Sequence, residues 1–403
     1  HRPVLLNSWE AFYFNFNGEK MLELAEAARD LGVEMLVMDD GWFGHRDDDT
    51  TSLGDWVPNE KKLGCPLGTI SERIHDLGLS FGIWVEPEMI SEDSDLYRAH
   101  PEWALKDPNR LPSVSRHQMV LDLGRQEVVD YLFDRIDTLL REVRLEYIKW
   151  DFNRALSNFY SGALPAGRQG ETAHRFMLGT YALLERLSRA WPEVMIEGCA
   201  GGGGRFDAGM LYYCPQIWCS DDTDAVERLE IQRGTSYGYP IFSMGSHGSA
   251  VPNHQTGRTV PMETRGAVAA AGTFGFELNP ALLSETEKET VRRQIVDFHR
   301  EEALIRQGDY YRLTELEEDR DFESWILVSP DRDRALMTLV MTHVRAEGEF
   351  PFVRLAGLKE TAIYEIQETG ERISGAALMH AGYSFPQLMG DYPALRLHLT
   401  EMV

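Results

Sequence analysis

The chain reads as an α/β protein, a (β/α)8 TIM barrel followed by a small C-terminal antiparallel β-sandwich domain. Three observations predict it. A helix, glycine and strand unit occurs twice near the N-terminus. Eight apolar strand candidates alternate with helical stretches over about 300 residues. After about residue 310 the pattern changes to short β-type runs split by Pro, Gly and Asp turns.

In the run LELAEAARDLGVEMLVMDDGW, Leu24, Ala28 and Leu31 share one helical face, Gly32 stops the helix, and a buried strand ends on Asp39 and Asp40. SERIHDLGLSFGIWVEPE repeats the design through Asp76, Leu77 and Gly78 and ends on Glu86 and Glu88. Acids at the C-terminal ends of apolar strands are the grammar of a parallel β/α protein. Further strands are predicted at 3–9, 146–152, 194–199, 216–221, 238–245 and 273–279, with helices at 125–144, 171–190 and 223–234. The extended piece MVLDLG (119–124) does not fit the alternation. It reads as an excursion in the loop after the third strand, which carries Arg116 towards the barrel mouth. The catalytic barrel is expected to span 1–310 and the C-terminal domain 311–403. The latter's runs SWILVS, ALMTLVMTH, AIYEI and LRLHL hold no cluster of polar groups, which gives it a structural role.

The bulk numbers narrow the function. Of 403 residues, 43% are hydrophobic and 26% charged, a balance that builds a packed core. With 40 basic against 65 acidic residues the formal charge is -25, which disfavours nucleic acid as a partner and leaves a neutral substrate indifferent. Cys65, Cys199, Cys214 and Cys219 form no CxxC pair, so reduced thiols in a cytoplasmic protein are expected. No apolar run approaches a membrane span, and HRPVLLNSW shows no signal-peptide pattern. The lack of an initiator methionine suggests a fragment or a trimmed chain.

The polar residues that break the strand pattern carry the chemistry. In YIKWDFNR, Lys149, Asp151 and Asn153 fall on one face and Ile148, Trp150 and Phe152 on the other. A buried carboxylate and ammonium cost several kcal/mol unless partnered, so such a row belongs where a strand opens into a polar cleft. Asp39 and Asp40, Trp84 and Glu86, Lys149 to Asn153, Cys199 and Asp221 all occupy strand ends. Two carboxylates on different strands suit cleavage of a glycosidic bond. Asp151 is the better nucleophile, because Lys149 favours its ionised form. Asp221, in SDDTD before a helix, is the better acid/base, since repulsion from Asp151 raises its proton affinity. Asp222 or Thr223 could cap that helix equally well. Asp39 and Asp40 can accept from sugar hydroxyls, and Trp84 and Trp42 can offer apolar ring faces. The glycines of CAGGGGRFD let a sugar approach the backbone, and the run lacks the ending of a P-loop. DDDT and DDTD match no EF-hand, and HxH and HExxH motifs are absent, so no metal is expected.

The segments NSWEAFYF, MDDGWFG, GIWVEPEM, IKWDFNR, CAGGGGRFDAGML, WCSDDTDAVERL with IQRGTSYGYP, and SAVPNHQTGR resemble glycoside hydrolase family 36, the bacterial α-galactosidase family, across nearly the whole chain. The resemblance implies a retaining double displacement that releases terminal α-linked galactose from oligosaccharides such as melibiose or raffinose, without metal or organic cofactor. It implies Asp151 as nucleophile and Asp221 as acid/base, with Asp39 and Asp40 gripping the O4 and O6 side. Trp84, Arg116, Lys149, Asn153, Cys199, Gly201 and Gly202 match its substrate-binding shell. Members usually carry an N-terminal β-sandwich that contributes to oligomerisation; it is absent from this sequence, which weakens the expectation of a homo-oligomer. Transglycosylation, action on N-acetylgalactosamine, and a non-catalytic carbohydrate-binding remnant are the alternatives. Retention of both Asp151 and Asp221 argues against the last.

Overall fold

The computed structural model describes residues 2–314, 321–346 and 352–402. Eight strands close into a barrel: Leu5–Asn7, Met35–Met38, Ser80–Val85, Tyr147–Trp150, Met195–Gly198, Gln216–Trp218, Met244–Ser249 and Thr273–Glu277. Around the barrel each strand neighbours the next in sequence, and the first neighbours the last. The chain forms two compact units, one of Leu5–Asp221 with Glu277–Leu282, the other of Asp222–Phe276 and the chain from Leu283 on, with the N-terminal tip up to Val4.

In the first unit, strands one to six pair in parallel, with Trp84 beside Lys149 and Lys149 beside Glu197 in register. Both repeated units fold as read. The helix Gly18–Leu31 starts where the Asn17 side chain accepts from Lys20 N–H, and it ends at Gly32 with φ 90°, a left-handed turn that glycine adopts without penalty. Its buried face is Met21, Leu22, Leu24, Ala25, Ala28 and Leu31. Inside the barrel, Leu5, Met35, Val37 and Tyr147 pack together with Met195 against them. Gly82 makes this possible, because a Cβ there would lie 2.7 Å from that of Tyr147. The excursion after the third strand is an antiparallel ribbon, Met89–Ser91 with Gln118–Val120.

The predicted strand at 238–245 is displaced. Pro240 leads into a 3₁₀ turn, Ile241–Ser243, and the strand begins only at Met244. The strand itself, MGSHGS, has no apolar period to announce it. Its hydroxyls are instead satisfied in the interior, Ser246 donating to Gln232 Oε1 at 2.7 Å and Ser249 to the Thr223 carbonyl at 2.8 Å.

In the second unit a six-stranded antiparallel sheet takes the order Asp309–Arg312, Phe322–Val328, Arg334–Met341, Ala394–Glu401, Ile363–Ile366 and Arg372–Ser374. One core gathers Ile326, Met337, Leu339 and Leu397 of the sheet with Val353, Leu378 and Phe385 of the covering layer. Trp325 and Val340 point the other way and pack with Ala225, Leu229 and Val268 of two helices of the same unit. The strands Phe322–Val328 and Arg334–Met341 therefore bury both faces.

Candidate active site

The barrel strands deliver a ring of buried polar side chains at their C-terminal ends. Asn7, Asp39, Asp40, Glu86, Glu88, Lys149 and Asp151 are all buried. Such a ring is tolerable only if every group finds a partner.

Asp151 sits one residue beyond the fourth strand, where its N–H still reaches the Val85 carbonyl at 2.8 Å. Its Oδ2 accepts from Trp84 Nε1 at 2.9 Å and Asn153 Nδ2 at 2.7 Å; its Oδ1 accepts from Phe152 N–H at 2.8 Å and Gly201 N–H at 3.3 Å. Burial by itself would push this carboxyl up. The Lys149 charge, with hydrogen bonds from the Cys199 thiol, Trp84 and Phe152 N–H, outweighs burial and holds it below the usual carboxylate value. Cys199 can donate because burial, and then the charges of Asp151 and Asp221, keep its thiol protonated. The lysine acts on Asp151 through space. Its own salt bridge runs to Asp39 Oδ2 at 2.9 Å, where Asn7 Nδ2 also donates at 2.7 Å.

Asp221 follows the sixth strand. It is open to solvent, yet its carboxyl is pushed up to about 6, by desolvation first and the Asp151 charge second, against the opposing charges of Lys149 and Arg116. The helix that follows begins at Ala225, and its cap is Asp224, which accepts from Val226 N–H. Neither Asp221 nor the alternatives Asp222 and Thr223 fills that place. Asp224 also pairs with Arg258 at 2.6 Å, and Asp48 accepts from Thr50 N–H, which accounts for both acid-dense runs as caps and loop contacts.

The two carboxyl residues share a piece of backbone. Gly201 (φ 53°) gives its N–H to Asp151, and Gly202 (φ 84°) lies so close to the next strand end that a Cβ would fall 2.6 Å from the Asp221 nitrogen. That close approach to rigid backbone explains the glycines better than a phosphate cradle does. The turn is anchored from behind. Arg205, at the end of the glycine run, pairs with Glu88 at 2.7 and 2.9 Å, and Glu88 also accepts from Trp150 Nε1 and Thr180 Oγ1. Trp150 thus lies on the core side, as its alternation with Lys149 predicts. Replacing Arg205 by Met leaves Glu88 buried without its counter-charge and should cost about 3–5 kcal/mol. Urea denaturation of the variant reads this directly, and Glu88→Gln on top of it should recover part of the loss.

Asp39 is engaged by Lys149, Asn7 and the Asp40 N–H, the last at 2.9 Å. Asp40 is gripped by Arg46, with Nε at 2.9 Å and Nη2 at 2.8 Å. Arg116 stands at an exposed hairpin tip, and its charge reaches Asp221. Trp42 is not an open ring face. It is 0% exposed, packs against Phe43 and Trp56, and donates its Nε1 to the Trp84 carbonyl at 2.8 Å. Arg46, Arg205 and Asn7 were not singled out from the sequence. Asn7 had a signal, a polar residue ending an apolar strand, whereas the two arginines had none: the partner of Arg205 is distant in sequence, and Arg46 reaches the nearby Asp40 only because the loop between them folds back.

Trp84→Phe keeps an aromatic ring, though a smaller one, and removes one donor to Asp151. Hydrogen bonds to charged groups are worth roughly 1.5–3 kcal/mol, or about one to two pKa units. Because Asp151 would work as the anion, raising its pKa removes activity at low pH. The acid limb of the kcat/KM profile should therefore move up by about one unit, and kcat should fall about tenfold.

Comparison with known proteins is consistent along the whole chain. The Melibiase family profile matches residues 1–308, and that of the Glycosyl hydrolase family 36 C-terminal domain matches residues 323–399. The bifunctional alpha-galactosidase/sucrose kinase AgaSK of Mediterraneibacter gnavus is 51% identical over 401 residues, covering 100% of this chain and 42% of its own length. Alpha-galactosidase AgaA of Geobacillus stearothermophilus is 47% identical, again over 100% of this chain and 55% of its own. A variant of AgaA solved in complex with raffinose superposes with a TM-score of 0.97 at 46% identity, covering 100% of this chain and 56% of that one. The chain thus spans about half the length of the curated relatives it matches.

Proposed function

Since this chain belongs to the melibiase family, glycosyl hydrolase family 36, we propose that it is the catalytic portion of an α-galactosidase that releases terminal α-linked galactose with retention of configuration. One observation carries the reading. Two carboxyl groups of opposite character, Asp151 held below and Asp221 above the ordinary value, stand at the ends of the fourth and sixth strands and share the Gly201–Gly202 turn. Groups whose surroundings push their affinities for protons apart divide into a base or nucleophile and an acid.

Asp151, ionised, attacks the anomeric carbon, and Asp221, protonated, gives its proton to the departing glycosidic oxygen. The covalent galactosyl ester then removes the Asp151 charge. Repulsion on Asp221 falls, so it keeps its negative charge and takes a proton from the water that cleaves the ester. Asp39, Asp40, Trp84, Arg116, Lys149, Asn153, Cys199, Gly201 and Gly202 form the binding shell. Asp39 retains acceptor capacity beyond its three donors for a sugar hydroxyl. Residues 1–310 form the catalytic barrel and 311–403 a supporting β domain. Raffinose is a fitting substrate, given the relative solved with it.

Hydrolysis of an aryl α-galactoside followed by NMR tests the reading. The α-anomer of galactose should appear first and mutarotate later. If the β-anomer comes first, the covalent mechanism is wrong; if no galactose is released, the activity is.

A further inference from the structure

Glu86 lies one residue beyond the third strand, is 0% exposed, and has no place in the scheme above. Its surroundings are specific. The last ladder donor of the fourth strand is Asp151 N–H, and the backbone donors after it need other acceptors. Asp151 N–H goes to Val85, and Phe152 N–H turns back to Asp151 itself. Asn153 N–H goes to Glu86 Oε1, where Gln118 Nε2 donates as well at 2.7 Å. The Asn153 side-chain amide then divides its donors between Asp151 Oδ2 at 2.7 Å and Glu86 Oε2 at 3.2 Å. Glu86 thus holds Asn153 by both backbone and side chain and replaces the sheet ladder where the chain leaves the barrel. It is itself held from the far side. Gln118 closes the two-residue hairpin turn at Arg116 and His117 (φ 53° and 57°), and Arg154 donates to the Ser113 and Gln118 carbonyls on its two arms.

We propose that Glu86 is a positioning residue of the reaction centre, which acts through Asn153 to keep the Asp151 carboxylate oriented for attack. This rests on Asp151 being the nucleophile. Burial, and after it the charge of Asp151, push the Glu86 carboxyl up to about 8. At neutral pH it is then mostly a neutral acid, which still accepts the three N–H contacts while adding no second charge beside Asp151. The longest contact, at Oε2, suits a hydroxyl oxygen.

Glu86→Gln keeps the size and neutrality but turns an amide donor or a misplaced oxygen towards Asn153. With an aryl α-galactoside, kcat of this variant should fall roughly 10–100-fold, the scale of a small misplacement at a reacting centre, with KM changed much less. In the Asn153→Ala background the same substitution should change kcat by less than about threefold, because its route is already cut. Thermal unfolding establishes that each variant is folded, and Glu86→Met gives the same cycle should the glutamine variant not fold. An active wild type with unchanged kcat in Glu86→Gln, or losses that multiply in the double variant, overturns the inference alone. A wild type without activity overturns the functional reading, and the inference with it.

Discussion

Asp151→Ala should lower hydrolysis of an aryl α-galactoside by about 10⁴-fold or more, and added azide should restore turnover as β-galactosyl azide. The size follows from the role, because without the carboxylate no covalent ester forms and the reaction loses its two easier steps. The rescue follows from what remains. Trp84 Nε1, Asn153 Nδ2 and the Gly201 N–H all point at the vacated place, where they would stabilise a small anion as they stabilise Asp151. On the proposed mechanism the azide would attack from the face the carboxylate used, so its product should be inverted where the wild-type product should be retained. The fold should survive, because Lys149 keeps its pairing with Asp39. Product configuration by NMR is the measurement. Substantial activity of Asp151→Ala without azide, or azide product of α configuration, would assign the nucleophile elsewhere.

Asp221→Ala should divide substrates by their leaving groups. Raffinose and melibiose, whose sugar alkoxides depart poorly without a proton, should lose about 10²–10⁴-fold in kcat/KM, and a dinitrophenyl galactoside far less. The pH profile carries the same information. On the proposed mechanism, wild-type kcat/KM needs Asp151 ionised and Asp221 protonated. Asp151 lies below the usual range, so the acid limb falls at low pH; Asp221 lies near 6, so activity declines as pH rises through about 6. In the variant the alkaline limb should flatten, since the group whose deprotonation caused it is gone. Equal losses on both substrate types would remove Asp221 from the acid's role.

Much of the fold was legible because it rests on local signals. The Gly32 stop, the buried strand Met35–Met38 and the alternation of Lys149 with Trp150 each follow from residues close in sequence. The seventh strand was misplaced for the converse reason. Its small residues and serines are stable only through partners such as Gln232 and the Thr223 carbonyl, which lie elsewhere in the chain. Trp42 illustrates a third case, in which an aromatic residue beside a functional motif serves as core and nothing local distinguishes the two uses.

By itself, the order of residues determined that acids and glycines would gather at one end of a parallel barrel, because strand polarity sends every C-terminal end the same way. Lys149, two residues from Asp151, already pointed to which carboxyl favours the ionised form; only the tertiary structure decided which further donors support Asp151 and how far burial raises Asp221. The further donors to Asp151 come from residues 84, 153 and 201 as well as its own neighbour, and Asp221 is raised by its burial first and by the charge of Asp151, from another strand, second. Proton affinity depends on what stands within a few ångströms in space, and for Asp151 those neighbours combine the local Lys149, Phe152 and Asn153 with Trp84 and Gly201, which lie tens of residues away.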